Sequence, residues 1–368
     1  MYIHENNEWP SFKWRESELA DRLAHVRHQQ GRLVGKMESL GFDLRQEATL
    51  YTLTEDVIKS SEIEGEDLDK YQVRSSVARR LGMDIAGLVP TERYVEGVVE
   101  MMLDATQNYQ KKLTSDRLFG WHAALFPTGY SGLSKIIVAD WRKDTEGPMQ
   151  VVSGPIGKER VHYEAPVAKL VSAEMGQFIG WFNLPPSSDL VLCAAISHLW
   201  FVTVHPFEDG NGRIARAITD MVLSRSEQSA QRFYSMSSQI RKERNAYYDI
   251  LEVTQKGDLD ITGWLLWFLQ CLEHAIIGAE ETLSNVLDKA AFWQMHKNSV
   301  LNERQVRVLN RLLEDFEGHL TSSKWAKLTK SSQDTALRDI NDLVQKGVLQ
   351  KGMSSGRSTH YVIKSLIS

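Results

Sequence analysis

Leu190-Val191-Leu192-Cys193-Ala194-Ala195-Ile196-Ser197-His198-Leu199-Trp200-Phe201-Val202-Thr203-Val204 runs for fifteen residues without Gly or Pro, and His205-Pro206-Phe207-Glu208-Asp209-Gly210-Asn211-Gly212-Arg213 follows it. The apolar run reads as a buried helix that stops at His205, because Pro206 disfavours α geometry in the residue before it. Beyond the loop, Ile214, Ala215, Ile218, Met221 and Val222 recur at helical spacing, so a second helix starts near Asn211 or Gly212. The loop therefore sits at a helix N-terminus. Such an end presents unpaired N–H groups and partial positive charge, and two glycines let a ligand approach the backbone closely. Arg213 and Arg216 add cations, Asp209 offers a hard oxygen for magnesium, and His205 can take a proton near neutral pH. Together these point to phosphoryl or nucleotidyl transfer. The competing reading is a plain Gly-Asn-Gly turn between two core helices.

The same stretch fits His-Pro-Phe-x-Asp/Glu-Gly-Asn-Gly-Arg-x-x-Arg at each specified position, and so resembles the signature of the Fic family. That resemblance implies protein adenylyltransfer, in which AMP passes from ATP to a Ser, Thr or Tyr hydroxyl of a target protein. It implies that His205 accepts the hydroxyl proton and that Asp209 holds Mg²⁺. Asn211, with the N–H groups of Gly210 and Gly212, would stabilise phosphate charge, which Arg213 and Arg216 would neutralise. Ile214 and Ala215 complete the ATP-binding stretch. Further on, Tyr247 and Gln255 fill the places where family members contact the base, with Gln standing where some relatives carry Asn.

Two other segments gain meaning beside the signature. Ser60-Ser61-Glu62-Ile63-Glu64-Gly65 alone reads as a helix boundary, with Ser61 and Glu64 at capping-box spacing. It also resembles the family's inhibitory motif, with Ser60, Glu64 and Gly65 in the matching places. This implies that Glu64 pairs with Arg216 and holds off the ATP γ-phosphate. The β-branched residues Ile136-Ile137-Val138, Val151-Val152 and Val161, bounded by Gly and Pro, suggest a short hairpin in an otherwise helical chain. By resemblance, Gln150, Val151, Val152, Ser153 and Gly154, up to Pro155, form a flap whose edge pairs with an extended target segment.

Composition sets the frame. The chain is 42% hydrophobic and 25% charged with a net charge of −5, values of an ordinary globular protein rather than a uniformly basic one. Residues 298–368 hold eleven Lys/Arg against seven Asp/Glu, a balance of +4 that leaves −9 for the rest. Cys193 and Cys271 lie in apolar runs and read as buried free thiols. No signal-like or membrane-length segment is visible, which gives a cytoplasmic expectation with no membrane partner.

The expected fold is mainly α. It comprises a helical N-terminal domain over 1–105 with the inhibitory motif at 60–65, a Fic-fold core with a hairpin flap over 106–290, and a winged helix-turn-helix over 298–368. In this last segment three helical patterns precede a Gly/Ser turn, 352–359, between Leu349-Gln350 and Tyr361-Val362-Ile363. The winged helix leaves DNA or protein as its partner. By family habit a homodimer is expected. Two rivals stand beside the adenylyltransferase: removal of AMP or transfer of another nucleotide through the same loop, and a DNA-binding regulator whose core senses nucleotide.

Overall fold

A computed structural model of the chain describes all residues except 40–41, 84, 86, 144–146, 155–157, 159, 314–315, 317, 353–358 and 365–368. The chain forms two compact units, Met1–Gly82 with Val89–Glu280, and Met83–Leu88 with Glu281–Ser368. The helices that begin in the first unit are α1 (Glu16–Glu38), α2 (Phe42–Ile63), α3 (Lys70–Arg80), α4 (Arg93–Gln107), α5 (Ser115–Leu125), α6 (Ala168–Phe182), α7 (Leu190–Val204), α8 (Asn211–Glu227), α9 (Met236–Lys242), α10 (Arg244–Gln255) and α11 (Thr262–Met295). Two small antiparallel pairs interrupt them: β1 (Tyr130–Ser131) with β2 (Ser134–Lys135), and β3 (Gln150–Ser153) with β4 (Arg160–Glu164).

The centre is α7 packed on α8. Every residue of α7 from Val191 to Val204 is buried, as a helix that is apolar on all sides must be. Asp189 opens it by accepting the Val191 N–H at 2.7 Å, and the Trp264 indole of α11 donates to the Ala195 carbonyl at 2.8 Å. Trp9 and Phe12 of the N-terminal segment set their ring edges against Trp200, at centroid distances of 6.1 and 5.8 Å. Edge-to-face contacts of this kind pack the N-terminal segment onto α7. Cys193 and Cys271 are buried and free.

Two readings of the sequence change. The segment 60–65 is not a capping box that opens a helix: Ser60 and Ser61 occupy the last turn of α2. The Gly65 N–H donates to Glu62 O at 3.1 Å and the Glu66 N–H to Ser61 O at 3.0 Å, with Gly65 at φ +86°. These bonds close a helix C-terminus, and a left-handed residue there favours glycine. Nor does Ile136-Ile137-Val138 form a strand; the Ile137 N–H goes instead to the Glu208 carboxylate at 2.8 Å. The expected hairpin is β3–β4 alone, running from Gln150↔Glu164 to Ser153↔Arg160 with a bulge between Val151 and Val152. Pro155, the end of the expected flap, lies outside the described residues. A two-stranded hairpin is marginal by itself, and here Tyr163 anchors it. Its ring is buried and its hydroxyl donates to the Thr203 carbonyl of α7 at 2.8 Å.

In the second unit, α12 (Glu303–Leu313), α13 (Ser322–Thr329) and α14 (Gln333–Gln345) precede the antiparallel strands β5 (Leu349–Lys351) and β6 (Tyr361–Ile363). Val308, Leu309, Trp325, Ile340, Leu343 and Tyr361 form its core. α14 is capped by Ser332, whose hydroxyl accepts the Thr335 N–H. Of the turn between β5 and β6, residues 353–358 lie outside the described residues.

Candidate active site

His205 ends α7 in a left-handed conformation, φ 51° and ψ 59°, with its N–H still bonded to Phe201 O at 3.0 Å. That geometry turns the chain sharply into the loop and is the strained detail of the site. Its Nδ1 lies 3.2 Å from the Val202 carbonyl, which can only accept, so Nδ1 carries the proton and Nε2 is left with its lone pair. Burial holds the His205 pKa down to about 4, with the nearby Arg142 charge acting in the same direction. The ring is therefore neutral at pH 7 and open to a proton.

The loop is held from inside. Asn211 donates its amide to Phe207 O at 2.8 Å and accepts the Phe207 N–H at 2.9 Å, so its side chain closes the loop on itself. The Asn211 side-chain oxygen and one of its two amide N–H groups are thus committed to the loop backbone. The Gly210 N–H is likewise spent on Asp209 Oδ1 at 2.6 Å. The α8 N–H groups of Asn211, Gly212 and Arg213 form the first turn, where no intrahelical carbonyl is in reach. Asp209 Oδ2 accepts the Ser131 hydroxyl. His122 was not singled out from the sequence, yet its ring stacks on Phe207 at 4.2 Å and its Nε2 lies 3.2 Å from Asp209 O. Burial holds its pKa down to about 4. Arg142, also missed, is buried and donates through Nε to His205 O at 2.7 Å. Neither residue has a local pattern that marks it, because each acts across the fold from a distant segment.

Both motif arginines are buried, at 1% and 2% side-chain exposure, and both meet carboxylates. Arg216 Nη2 lies 2.8 Å from Glu64 Oε1 and 2.8 Å from Ser60 O, while its Nε donates to Ser60 Oγ at 2.8 Å. Arg213 Nη1 lies 2.7 Å from Glu66 Oε2. Arg213 Nε and Arg216 Nη1 are buried without a partner. A Cβ on Gly212 would meet Glu64 Oε1 at 2.1 Å, so the carboxylate rests directly on this glycine. Arg244 of α10 fixes the end of α2 by donating to Ile63 O at 2.9 Å.

These groups border a cavity of 530 Å³ lined by Glu64, His205, Gly212, Tyr247, Tyr248, Gln255 and the flap residues Gln150 to Ser153. Gly154 follows β3, at φ +103°. Tyr247 and Gln255 are both buried: the Tyr247 hydroxyl lies 2.8 Å from His198 Nε2, and Gln255 donates to Thr203 Oγ1 at 3.3 Å. His198 also meets Thr219 Oγ1 at 2.9 Å, so it is a hydrogen-bonded core histidine. Burial and then the Arg216 charge hold its pKa down to about 3. Ile214 and Ala215, expected in the ATP-binding stretch, are fully buried in α8 and are not among the residues that line the cavity. The flap is tied across the cavity by Glu252 of α10, which accepts from Arg160 at 2.8 Å, His162 at 2.5 Å and Lys256 at 2.7 Å.

The family model for the Fic/DOC family matches residues 112–223, and a model of a domain of unknown function, DUF4172, matches residues 2–83. The Fic/DOC match covers just under a third of the chain. A protein adenylyltransferase Fic from Culex quinquefasciatus is 32% identical over 108 residues, 29% of this chain and 20% of that protein. The Drosophila yakuba protein of the same name is 36% identical over 87 residues, 23% of this chain and 16% of that protein. The chain thus spans a fifth or less of these relatives. A Fic family protein from Desulfovibrio desulfuricans superposes with a TM-score of 0.51 at 20% identity, over 93% of this chain and 95% of that one. A Fic domain containing signaling protein from Bacteroides thetaiotaomicron gives 0.51 at 19% identity, over 72% of this chain and 96% of that one. The mainly helical fold with a small hairpin is that of Fic proteins.

Proposed function

We propose that the Fic domain transfers AMP from ATP to a hydroxyl of a target protein, and that Glu64 holds this activity back. The observation that carries the reading is that His205, with a free Nε2, and Glu64 line one cavity. Glu64, just past the end of α2, pairs there with the buried Arg216 guanidinium, one of whose N–H groups has no partner. In the step, the target hydroxyl oxygen bonds to the α-phosphorus as the bond to the bridging oxygen breaks. The hydroxyl proton passes to His205 Nε2, and pyrophosphate leaves. The N–H groups at the start of α8 and the two arginines would receive phosphate charge.

Magnesium fits the donors present. Mg²⁺ is commonly held by one or two carboxylates plus phosphates and water, and Asp209 is the exposed carboxylate at the loop. When bound, the ion would neutralise phosphate charge. Tyr247, Tyr248 and Gln255 would border the base, and the exposed edge of β3 would receive an extended segment of the target.

The second unit is read as a winged helix, on its order of three helices and a hairpin. DNA readout is not proposed for it. No described helix is long and apolar enough to cross a membrane.

The test offers labelled ATP, UTP and GTP to the Glu64→Gly variant in a lysate, with mass spectrometry of modified side chains. AMP on target hydroxyls is the expected result. Label from UTP or GTP in its place, or loss of AMP from modified proteins without transfer, would assign the site to another chemistry.

A further inference from the structure

Glu66 stands two residues beyond the inhibitory glutamate, on the far side of the turn that Gly65 makes at φ +86°. The turn is rigid, since the Glu66 N–H is bonded to Ser61 O at 3.0 Å. It sends Glu64 and Glu66 to different arginines. Glu66 Oε2 meets Arg213 Nη1 at 2.7 Å, and the Tyr94 hydroxyl of α4 donates to the same carboxylate oxygen. Arg213 Nη1 also donates to the Tyr94 oxygen at 2.5 Å. The Phe126 ring lies 5.2 Å from the guanidinium carbon. Arg213 is buried, whereas the Glu66 side chain is 36% exposed, so the carboxylate reaches in from the solvent side.

We infer that Glu66 is a second inhibitory carboxylate, which occupies Arg213 as Glu64 occupies Arg216. The inference rests on the nucleotide reading above. One short turn would then neutralise both cations that a triphosphate needs, and phosphate would have to displace both carboxylates. Charge-assisted contacts to a buried guanidinium are the strong kind, and the exposed end of Glu66 gives it a route outward. Tyr94 steadies Glu66 in place. The rival role is positioning, in which Glu66 orients Arg213 for catalysis. The two roles predict opposite signs.

The experiment measures ATP affinity by calorimetry in a background of His205→Ala, so that turnover plays no part. The variants are the parent, Glu64→Gly, Glu66→Ala, the Glu64→Gly/Glu66→Ala double, and Tyr94→Phe on Glu64→Gly; thermal melts confirm that each is folded. The expected result is tighter binding in Glu64→Gly and a further gain of about five- to tenfold in the double, as for release of one charge-assisted contact. Tyr94→Phe gives a smaller gain of the same sign. If Glu64→Gly binds ATP no better than the parent, the nucleotide reading itself fails. If Glu64→Gly binds more tightly but Glu66→Ala adds nothing or weakens binding, Glu66 is a positioning residue and this inference alone is overturned.

Discussion

The signature loop and the flap face each other across one cavity and are built in opposite ways. In the loop, Asn211 locks Phe207 from both sides, and His122 and Arg142 hold the backbone on either flank of it. The flap exposes Gln150, Val152 and Ser153, and is moored by Tyr163 on one side and by the Glu252 contacts on the other. The groups that must be placed within fractions of an ångström are set in a core; the surface that would read a variable partner is left adjustable.

The comparison breaks most readily at the loop. Asn211→Ala removes two buried hydrogen bonds and leaves the Phe207 N–H and carbonyl without partners. A stability loss of about 2–4 kcal/mol is expected, with transfer by Glu64→Gly reduced at least as strongly as stability. Denaturant unfolding and single-turnover assays measure the two. An Asn211→Ala protein as stable as its parent would show that the loop is not held as described.

The next effect is in pH. The lowered pKa of His205, about 4, keeps its Nε2 unprotonated through the whole neutral and mildly acid range. For Glu64→Gly the kcat/KM profile should stay level as pH falls through 6.5 and drop only towards about 4, because protonation is what removes the base. A limb centred near 6.5 would mean that the ring is as solvated as a free histidine.

The smallest effect lies at the flap. Glu252→Gln weakens its ties to Arg160, His162 and Lys256, whose side chains are 69%, 26% and 40% exposed, so stability should change by about 1 kcal/mol or less. Proteolysis within the hairpin should become faster while ATP affinity stays the same. Equal loss of ATP binding would make the flap part of the rigid site and erase the contrast.

The legibility of these regions differed for physical reasons. The buried run, Pro206 and the paired glycines are local signals, so α7, the loop and the start of α8 could be read directly from residue order. Glu64 could be paired with Arg216 through the motif resemblance. His122, Arg142, Ser131 and Glu66 could not be found in this way, since each reaches the loop from a distant segment that carries no pattern of its own. The segment 60–65 misled as a capping box because Ser and Glu at that spacing suit either end of a helix. Gly65 was the residue that distinguished the ends, since a left-handed glycine belongs after a helix. Ile136-Ile137-Val138 has strand-like residues, but its backbone bonds the Glu208 side chain in place of a partner strand.

The central proposal is that one loop both performs the transfer and is switched off by Glu64, in the turn that follows α2. Its most direct test compares wild type, Glu64→Gly and Glu64→Gly/His205→Ala for labelled AMP transfer at equal protein. The account predicts weak label for wild type, strong label for Glu64→Gly, and a fall of about 10²–10⁴-fold in the double variant. Equal label in the two Glu64→Gly proteins would contradict it.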